Sequence, residues 1–181
     1  IIGGNIGGIV GSSALNLSKV ISNIDMTVTS GGSCQIRLGG ILGVNEEGGI
    51  AENLGSLGKI SLNYNKNNRN IYIGGILGKN NGTINNGYYA GKINKNNVQN
   101  NGEVCLGGTI GINELGQNGN DLYFLNDSFS LTGGEVIFKN EIEKTKEEMQ
   151  SEDFVKLLNE NKSIWIKDKN LLNNGYPFLA I

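Results

Sequence analysis

Apolar residues run in short clusters along most of this chain, and Gly or Asn closes nearly every one. Ile, Leu and Val dominate the clusters, which are four to six residues long. Brief apolar runs bounded by Gly and Asn predict strands. Helices are disfavoured there, because Gly costs about 1 kcal/mol per position inside a helix.

The clusters recur. Ile6-Gly7-Gly8-Ile9-Val10-Gly11 is followed by Leu38-Gly39-Gly40-Ile41-Leu42-Gly43, by Ile73-Gly74-Gly75-Ile76-Leu77-Gly78 and by Leu106-Gly107-Gly108-Thr109-Ile110-Gly111. Their first glycines lie 32, 35 and 33 residues apart. Asn45, Asn80 and Asn113 follow three of the four phrases, and Ser13 takes that place in the first. A second phrase, Gly82-Thr83-Ile84-Asn85-Asn86 leading to Gly91-Lys92-Ile93, has its counterpart in Gly49-Ile50-Ala51-Glu52-Asn53 and Gly58-Lys59-Ile60.

Each unit of about 33 residues holds three apolar runs, which predicts three strands per unit. Units that stack coil on coil, about 4.8 Å apart, make a parallel β-helix. The expected fold is therefore all-β, a right-handed parallel β-helix of about four coils over residues 1–138. Tight corners between strands need positive φ, which Gly accepts and Asn tolerates. The double glycines mark either a bend or a place where another backbone packs close. Asn45, Asn80 and Asn113 would stack, and their amides would hydrogen-bond along the axis as a ladder.

From Lys139 onward Gly thins out and charge rises. Residues 141–160 read as helix. Thr145 and Glu148 fit a capping box, with Ser151 as a further cap. Phe154, Val155 and Leu158 share one face. Ser163–Asp168 then reads as a strand, Asn173-Asn174-Gly175 as a turn, and Tyr176–Ile181 as extended. A solenoid leaves its last coil as raw sheet edge and open core. Residues 139–181, with Trp165, Tyr176 and Phe178, are therefore expected to form a small α/β cap over that end.

Ile73–Asn80, Gly82–Ile93 and the tail residues Phe154–Leu158, Trp165, Asp168 and Asn174–Pro177 resemble the GLUG-motif repeats of bacterial surface proteins. Asn86-Gly87-Tyr88 departs from the motif's Asn-Cys-Tyr. The resemblance covers most of the chain and is most specific over residues 38–113. It implies an extracellular β-solenoid module, secreted or on the bacterial cell surface. Such repeats occur in adhesins and in the non-catalytic part of immunoglobulin-A-cleaving metallopeptidases, so the resemblance supplies no catalytic residue.

Composition narrows the chemistry. Gly and Asn each number 29 of 181 residues, and there is no His. Without His there is no Ser-His-Asp or Cys-His nucleophile and no His-based metal site. A net charge of −2 disfavours nucleic acid. No apolar run reaches the roughly 18 residues that a membrane-spanning helix needs. Ile1 opens in mid-pattern, so the chain reads as a piece of a longer protein. Cys34 and Cys105 belong to coils two apart, about 10 Å by stacking, beyond the roughly 7 Å that a disulfide spans. The acidic residues Asp25, Glu46, Glu47, Glu52, Glu103, Glu114, Asp121, Asp127 and Glu135 are scattered, and Glu46 is expected to pair with Lys79. They read as solvated charge.

No cofactor, metal or catalytic residue is expected. The sharper site reading concerns the polar stretches 63–70 and 94–101. With Tyr64, Tyr88 and Tyr89 they would form a polar-aromatic surface for a host glycan or matrix protein. The function expected is that of a non-catalytic structural and adhesive module, working beside other domains of a parent chain. The alternatives are an accessory domain of a secreted metallopeptidase and a carbohydrate-active β-helix enzyme.

Overall fold

The computed structural model describes residues 4–30, 34–64, 69–96, 102–114, 119–130, 135–136 and 141–180. The chain winds as a parallel β-solenoid. Its first coil holds β1 (Gly4–Gly7), β2 (Val10–Ser13), β3 (Leu17–Ser22) and β4 (Met26–Ser30). The second holds β5 (Ile36–Gly39), β6 (Leu42–Asn45), β7 (Ile50–Ser56) and β8 (Ile60–Tyr64). The third holds β9 (Ile71–Gly74), β10 (Leu77–Asn80), β11 (Thr83–Tyr89) and β12 (Ile93–Asn96). The fourth holds β13 (Val104–Gly107), β14 (Ile110–Asn113), β15 (Asn120–Leu125) and β16 (Phe129–Ser130). A shorter last coil adds β17 (Glu135–Val136) and β18 (Glu141–Lys144).

Equivalent strands of successive coils pair in parallel, forming four columns: β1-β5-β9-β13-β17, β2-β6-β10-β14, β3-β7-β11-β15-β18 and β4-β8-β12-β16. The register follows the sequence repeat, with Leu38 beside Ile73 and Ile73 beside Leu106. Inward residues of all four columns, among them Ile36, Leu42, Leu54, Ile60, Ile73, Leu77, Ile93 and Leu106, make one continuous core.

Each of the first four coils therefore has four strands where three were expected. The Ile-Gly-Gly-Ile phrase is the reason, because it is two strands with a sharp corner between them. β5 ends at Gly39 and β6 begins at Leu42. The corner glycines do not supply positive φ. Among the described glycines only Gly4, Gly48 and Gly175 do so. What the corner needs is the absence of a side chain. A Cβ on Gly39 would overlap the Leu42 carbonyl oxygen and come within 2.6 Å of Ile76 O and 2.8 Å of Gly78 N. All three are backbone atoms held by the ladder, so the clash has no cheap relief.

Left-handed backbone falls elsewhere, once in the third column of each of the first four coils, at Lys19 (φ 57°), Asn53 (55°), Asn86 (52°) and Asp121 (55°). The kink shifts the strand's in-out alternation by one residue. Ala51 and Leu54, three apart, are both buried in the core, whereas an ordinary strand repeats every two. Asn and Asp tolerate this conformation better than Lys does.

The tail corrects two expectations. Residues 141–144 are strand, not helix, and β17 and β18 pair with β13 and β15, so the solenoid continues to Lys144 rather than ending at 138. The remainder forms α1 (Lys146–Met149), α2 (Glu152–Asn159), β19 (Trp165–Ile166) and β20 (Phe178–Leu179). Thr145 and Ser151 cap the two helices as expected. Among the described residues this segment packs along the flank of the stack and not over its end. Met149, Phe154, Val155, Leu158, Trp165 and Tyr176 pack on Leu57, Tyr88 and Tyr123, along the outer flank of the third column. β20 returns as far as β3 in the first coil. Outward aromatic rings on that column need apolar cover. The end of the stack carries Glu141 and Glu143, which do not.

Gly39→Ala should lower stability by about 3 kcal/mol, the upper range for overpacking a fixed interior. Thermal denaturation of the variant checks this, with Gly11→Ala, where an added Cβ comes no closer than 3.1 Å to any atom, the Asn5 carbonyl oxygen, as the comparison.

Candidate functional site

The asparagine column is present as a ladder. Asn45 Nδ2 donates to Asn80 Oδ1 at 2.9 Å, and Asn80 Nδ2 donates to Asn113 Oδ1 at 3.1 Å. Asn80 Nδ2 also donates to Gly82 O at 2.9 Å, and Asn45 Nδ2 to Thr83 O at 3.0 Å. Each side chain thus ties the end of one strand to the start of the next and joins two coils. Asn45 and Asn80 are fully buried, so their amides are committed to the fold. The ladder has an open rung, because Asn45 Oδ1 is buried without a hydrogen bond. Ser13 lies beside Asn45 in register, and its hydroxyl instead accepts from Leu15 N at 3.0 Å.

The third column carries a second amide contact that the sequence reading missed. Asn86 Nδ2 donates to Asn53 Oδ1 at 2.8 Å and to Leu158 O at 2.6 Å. Its left-handed backbone aims the amide at both the neighbouring coil and the last turn of α2. The signal was available in the equivalent spacing of Asn53 and Asn86.

Tyr88 and Tyr89 are not surface residues. Both are fully buried, which corrects their assignment to a ligand-binding face. Adjacent residues of a strand point to opposite sides. Tyr89 enters the solenoid core, and its hydroxyl donates to Gly58 O at 3.1 Å. Tyr88 points outward and is covered by the tail, with ring centroids 5.5 Å from Trp165 and 6.1 Å from Phe154. Its hydroxyl meets Pro177 O, and Asn173 Nδ2 donates to it at 2.9 Å. Burial raises the pKa of both phenols far above the usual tyrosine value. Tyr64 closes β8, and its side chain lies outside the described residues, as do positions 65–68 and 97–101 of the two polar stretches.

The acidic residues are engaged one at a time. Glu46 accepts from the Ser12 hydroxyl, Glu52 from Ser18, and Asp25 from the Lys59 backbone. Lys79 pairs with Glu114 at 2.7 Å rather than with Glu46, because the next coil brings Glu114 closer. Among the described residues no three His, Cys, Asp or Glu side chains are placed to hold a metal. Cys34 and Cys105 are both thiols.

One carboxylate stands apart. Glu141 Oε1 accepts from Thr109 Oγ1 and from Ile110 N, both at 2.7 Å. In earlier coils those backbone donors meet a carbonyl. Ile41 and Leu42 donate to Ile76 O, and Ile76 and Leu77 donate to Thr109 O. Glu141 supplies a side-chain oxygen where the stack runs out of corners. Its Oε2 is buried without a hydrogen bond. Burial raises the pKa of this carboxyl, and the donors at Thr109, Ile110 and Gly108 oppose that only in part. Glu141, Glu114, Glu103 and the strand 110–113 line a cavity of about 170 Å³, room for a small water cluster. Read as the start of a helix over 141–160, Glu141 showed no sign of this role. The alternating Glu141-Ile142-Glu143 pattern, read as a strand, does.

In the tail, Asp168 is 4 % exposed and accepts backbone N–H groups from Leu172, Asn173 and Gly175 at 2.9, 2.6 and 2.9 Å. Burial works against its charge, but these donors outweigh it and hold the carboxyl below the usual range.

No protein-family model, curated protein or solved structure matches the chain.

Ser13→Asn should add a rung, donating to Asn45 Oδ1 and raising stability by about 1 kcal/mol. Asn80→Ala, which removes two donated hydrogen bonds and the one its Oδ1 accepts from Asn45, should cost about 2 kcal/mol or more. Chemical denaturation of the two variants reads both effects. Glu141 gives a pH signature. A carboxyl whose folded pKa is raised favours the fold when protonated, and that contribution is lost as pH rises through the folded pKa. Glu141→Gln keeps the acceptor oxygen without the charge. It should exceed the wild type in stability at neutral pH, and the gap should close as pH falls toward the ordinary carboxyl pKa of about 4.3. A gap that is constant with pH would rule this out.

Proposed function

We propose that this chain is a non-catalytic structural and adhesive module of a bacterial surface or secreted protein. The observation that carries the reading is where the repeat spends its polar residues. Asn45, Asn80 and Asn113 bond one coil to the next, and the glycine corners let the backbones touch. A repeat whose signature side chains are consumed in coil-to-coil bonds makes a stiff support. Contact with a partner then falls to the segments that join the coils, where binding residues on a rigid scaffold are commonly held.

The GLUG-like phrases support the same reading and an extracellular setting. The partner proposed is a host glycan or matrix protein, engaged through the joining segments 63–70 and 94–101, including Tyr64. Tyr88 and Tyr89 have no part in it.

Binding of the labelled protein to a glycan array and a matrix-protein panel at physiological salt tests the proposal. Saturable binding to one ligand class is expected. It should weaken about tenfold in Tyr64→Ala, the loss of about 1.4 kcal/mol that one good contact supplies. Thermal stability should stay close to wild type. Silence from a folded sample would remove the adhesive part and leave a spacer.

A further inference from the structure

The first coil has an open face. Strands β1 to β4 each end their column, so among the described residues nothing pairs with their outer edges. The core is open there too. Ile6, Val10, Val20 and Met26 are only partly buried, whereas their register partners Leu38, Leu42, Leu54 and Ile60 are at most 1 % exposed. Ile9 is 48 % exposed, and its equivalents one and two coils on, Ile41 and Ile76, are fully buried. The difference between the coils is the layer that the first one lacks on its outer side.

This edge carries no guard. A row of unpaired N–H and C=O groups is a template for another strand, and natural edges are commonly blunted by inward charge, Pro or a bulge. At the other end β18 sets Glu141 and Glu143 in register with core positions. Over residues 4–30 the charged residues are Lys19 and Asp25, one of each sign, and there is no Pro. Asp25 is engaged by the Lys59 backbone N–H. Two copies of this face therefore meet without net repulsion. Stacking it on β18 of another copy would bury two carboxylates against apolar side chains. Like face on like face avoids that.

The area suffices. β1 to β4 hold nineteen residues, an edge about 60 Å long at roughly 3.3 Å per residue. A band about 10 Å deep, the spacing of one sheet layer, gives roughly 600 Å² before the apolar mouth inside the rim is counted. A stable interface needs about 800 Å² per partner. A two-fold axis lying in the face pairs strands antiparallel, the commoner sense in sheets. It continues the hydrogen-bonded columns and the core that already join one coil to the next.

We infer that the first-coil face is a self-association surface, through which two copies of this chain join β1–β4 to β1–β4 in a closed dimer. The inference is independent of the proposed adhesive role.

Sedimentation velocity of the full chain over a dilution series tests this. A reversible monomer–dimer equilibrium is expected, with no larger species, because like faces close on each other. Ile9→Lys puts charge on the open core and should weaken the dimer about tenfold or more, since each face then brings a like charge to the other. Ile9→Thr, which copies Thr109 at the equivalent place in the fourth coil, should weaken it less. Ile9 is half exposed, so both variants should fold. Their circular dichroism and melting, measured where the wild type is monomeric, should match it. Hydrogen exchange locates the surface: amides of β1–β4 should slow as concentration rises, and those of α2 should not. A wild type that stays monomeric up to about 1 mM, the weak end of specific binding, overturns the proposal. So does growth beyond the dimer, an undiminished dimer in folded Ile9→Lys, or concentration-dependent protection at β18 in place of β1–β4.

Discussion

At one corner of the second, third and fourth coils a single carbonyl oxygen takes two N–H groups from the coil before it. Ile41 O receives Ile9 and Val10, Ile76 O receives Ile41 and Leu42, and Thr109 O receives Ile76 and Leu77. The geometry works only if the backbones almost touch, so the residues before the corner must lack a Cβ. Much follows from that contact. The glycine pair sets the corner, the corner turns one apolar phrase into two strands, and the fixed spacing of corners sets the register of all four columns. The asparagine that closes the second strand then meets its equivalent in the next coil at hydrogen-bond distance, without further adjustment.

The repeat was legible because it is a physical period. Each unit must place the same groups at the same height, and departures show as gaps in a recurring phrase. Asn45, Asn80 and Asn113 could be read as a ladder for that reason. Two kinds of feature stayed hidden. The double glycines admit two explanations, conformational freedom or close approach, and only coordinates separate them. The left-handed column at Lys19, Asn53, Asn86 and Asp121 contains no glycine at all, so composition did not mark it.

The tyrosines show a different limit. Tyr88 and Tyr89 had to face opposite ways, and one outward ring on a strand looks like a binding surface. Whether it is one depends on what covers it. The tail's amphipathic helix was legible from Phe154, Val155 and Leu158, but its direction was not. A helix that could cap an end could as well lie along a flank. The deciding groups were Tyr88 and Tyr123 on the flank, with rings 6.1 and 5.2 Å from Phe154, set against carboxylates at the end.

Those carboxylates also explain why the stack stops where it does. Leu122 and Phe124 face the core, and their register partners in β18 are Glu141 and Glu143. A further coil laid over β18 would have to bury both charges against apolar side chains, which costs several kcal/mol for each unless it is paired. Inward-pointing charge is a known guard against pairing at a sheet edge. Glu141 does more than repel, since its oxygen takes donors that the corner would otherwise leave open. One side chain therefore closes the hydrogen-bond column and discourages the next layer. The first coil has the opposite character. Ile9, Leu15 and Ile24 are 48 %, 76 % and 42 % exposed there, Ser13 stands where the ladder would place Asn, and Lys19 occupies the position that Asn or Asp fills in later coils. The two described faces of the stack are therefore chemically unlike, apolar side chains exposed on the first coil and carboxylates on β18.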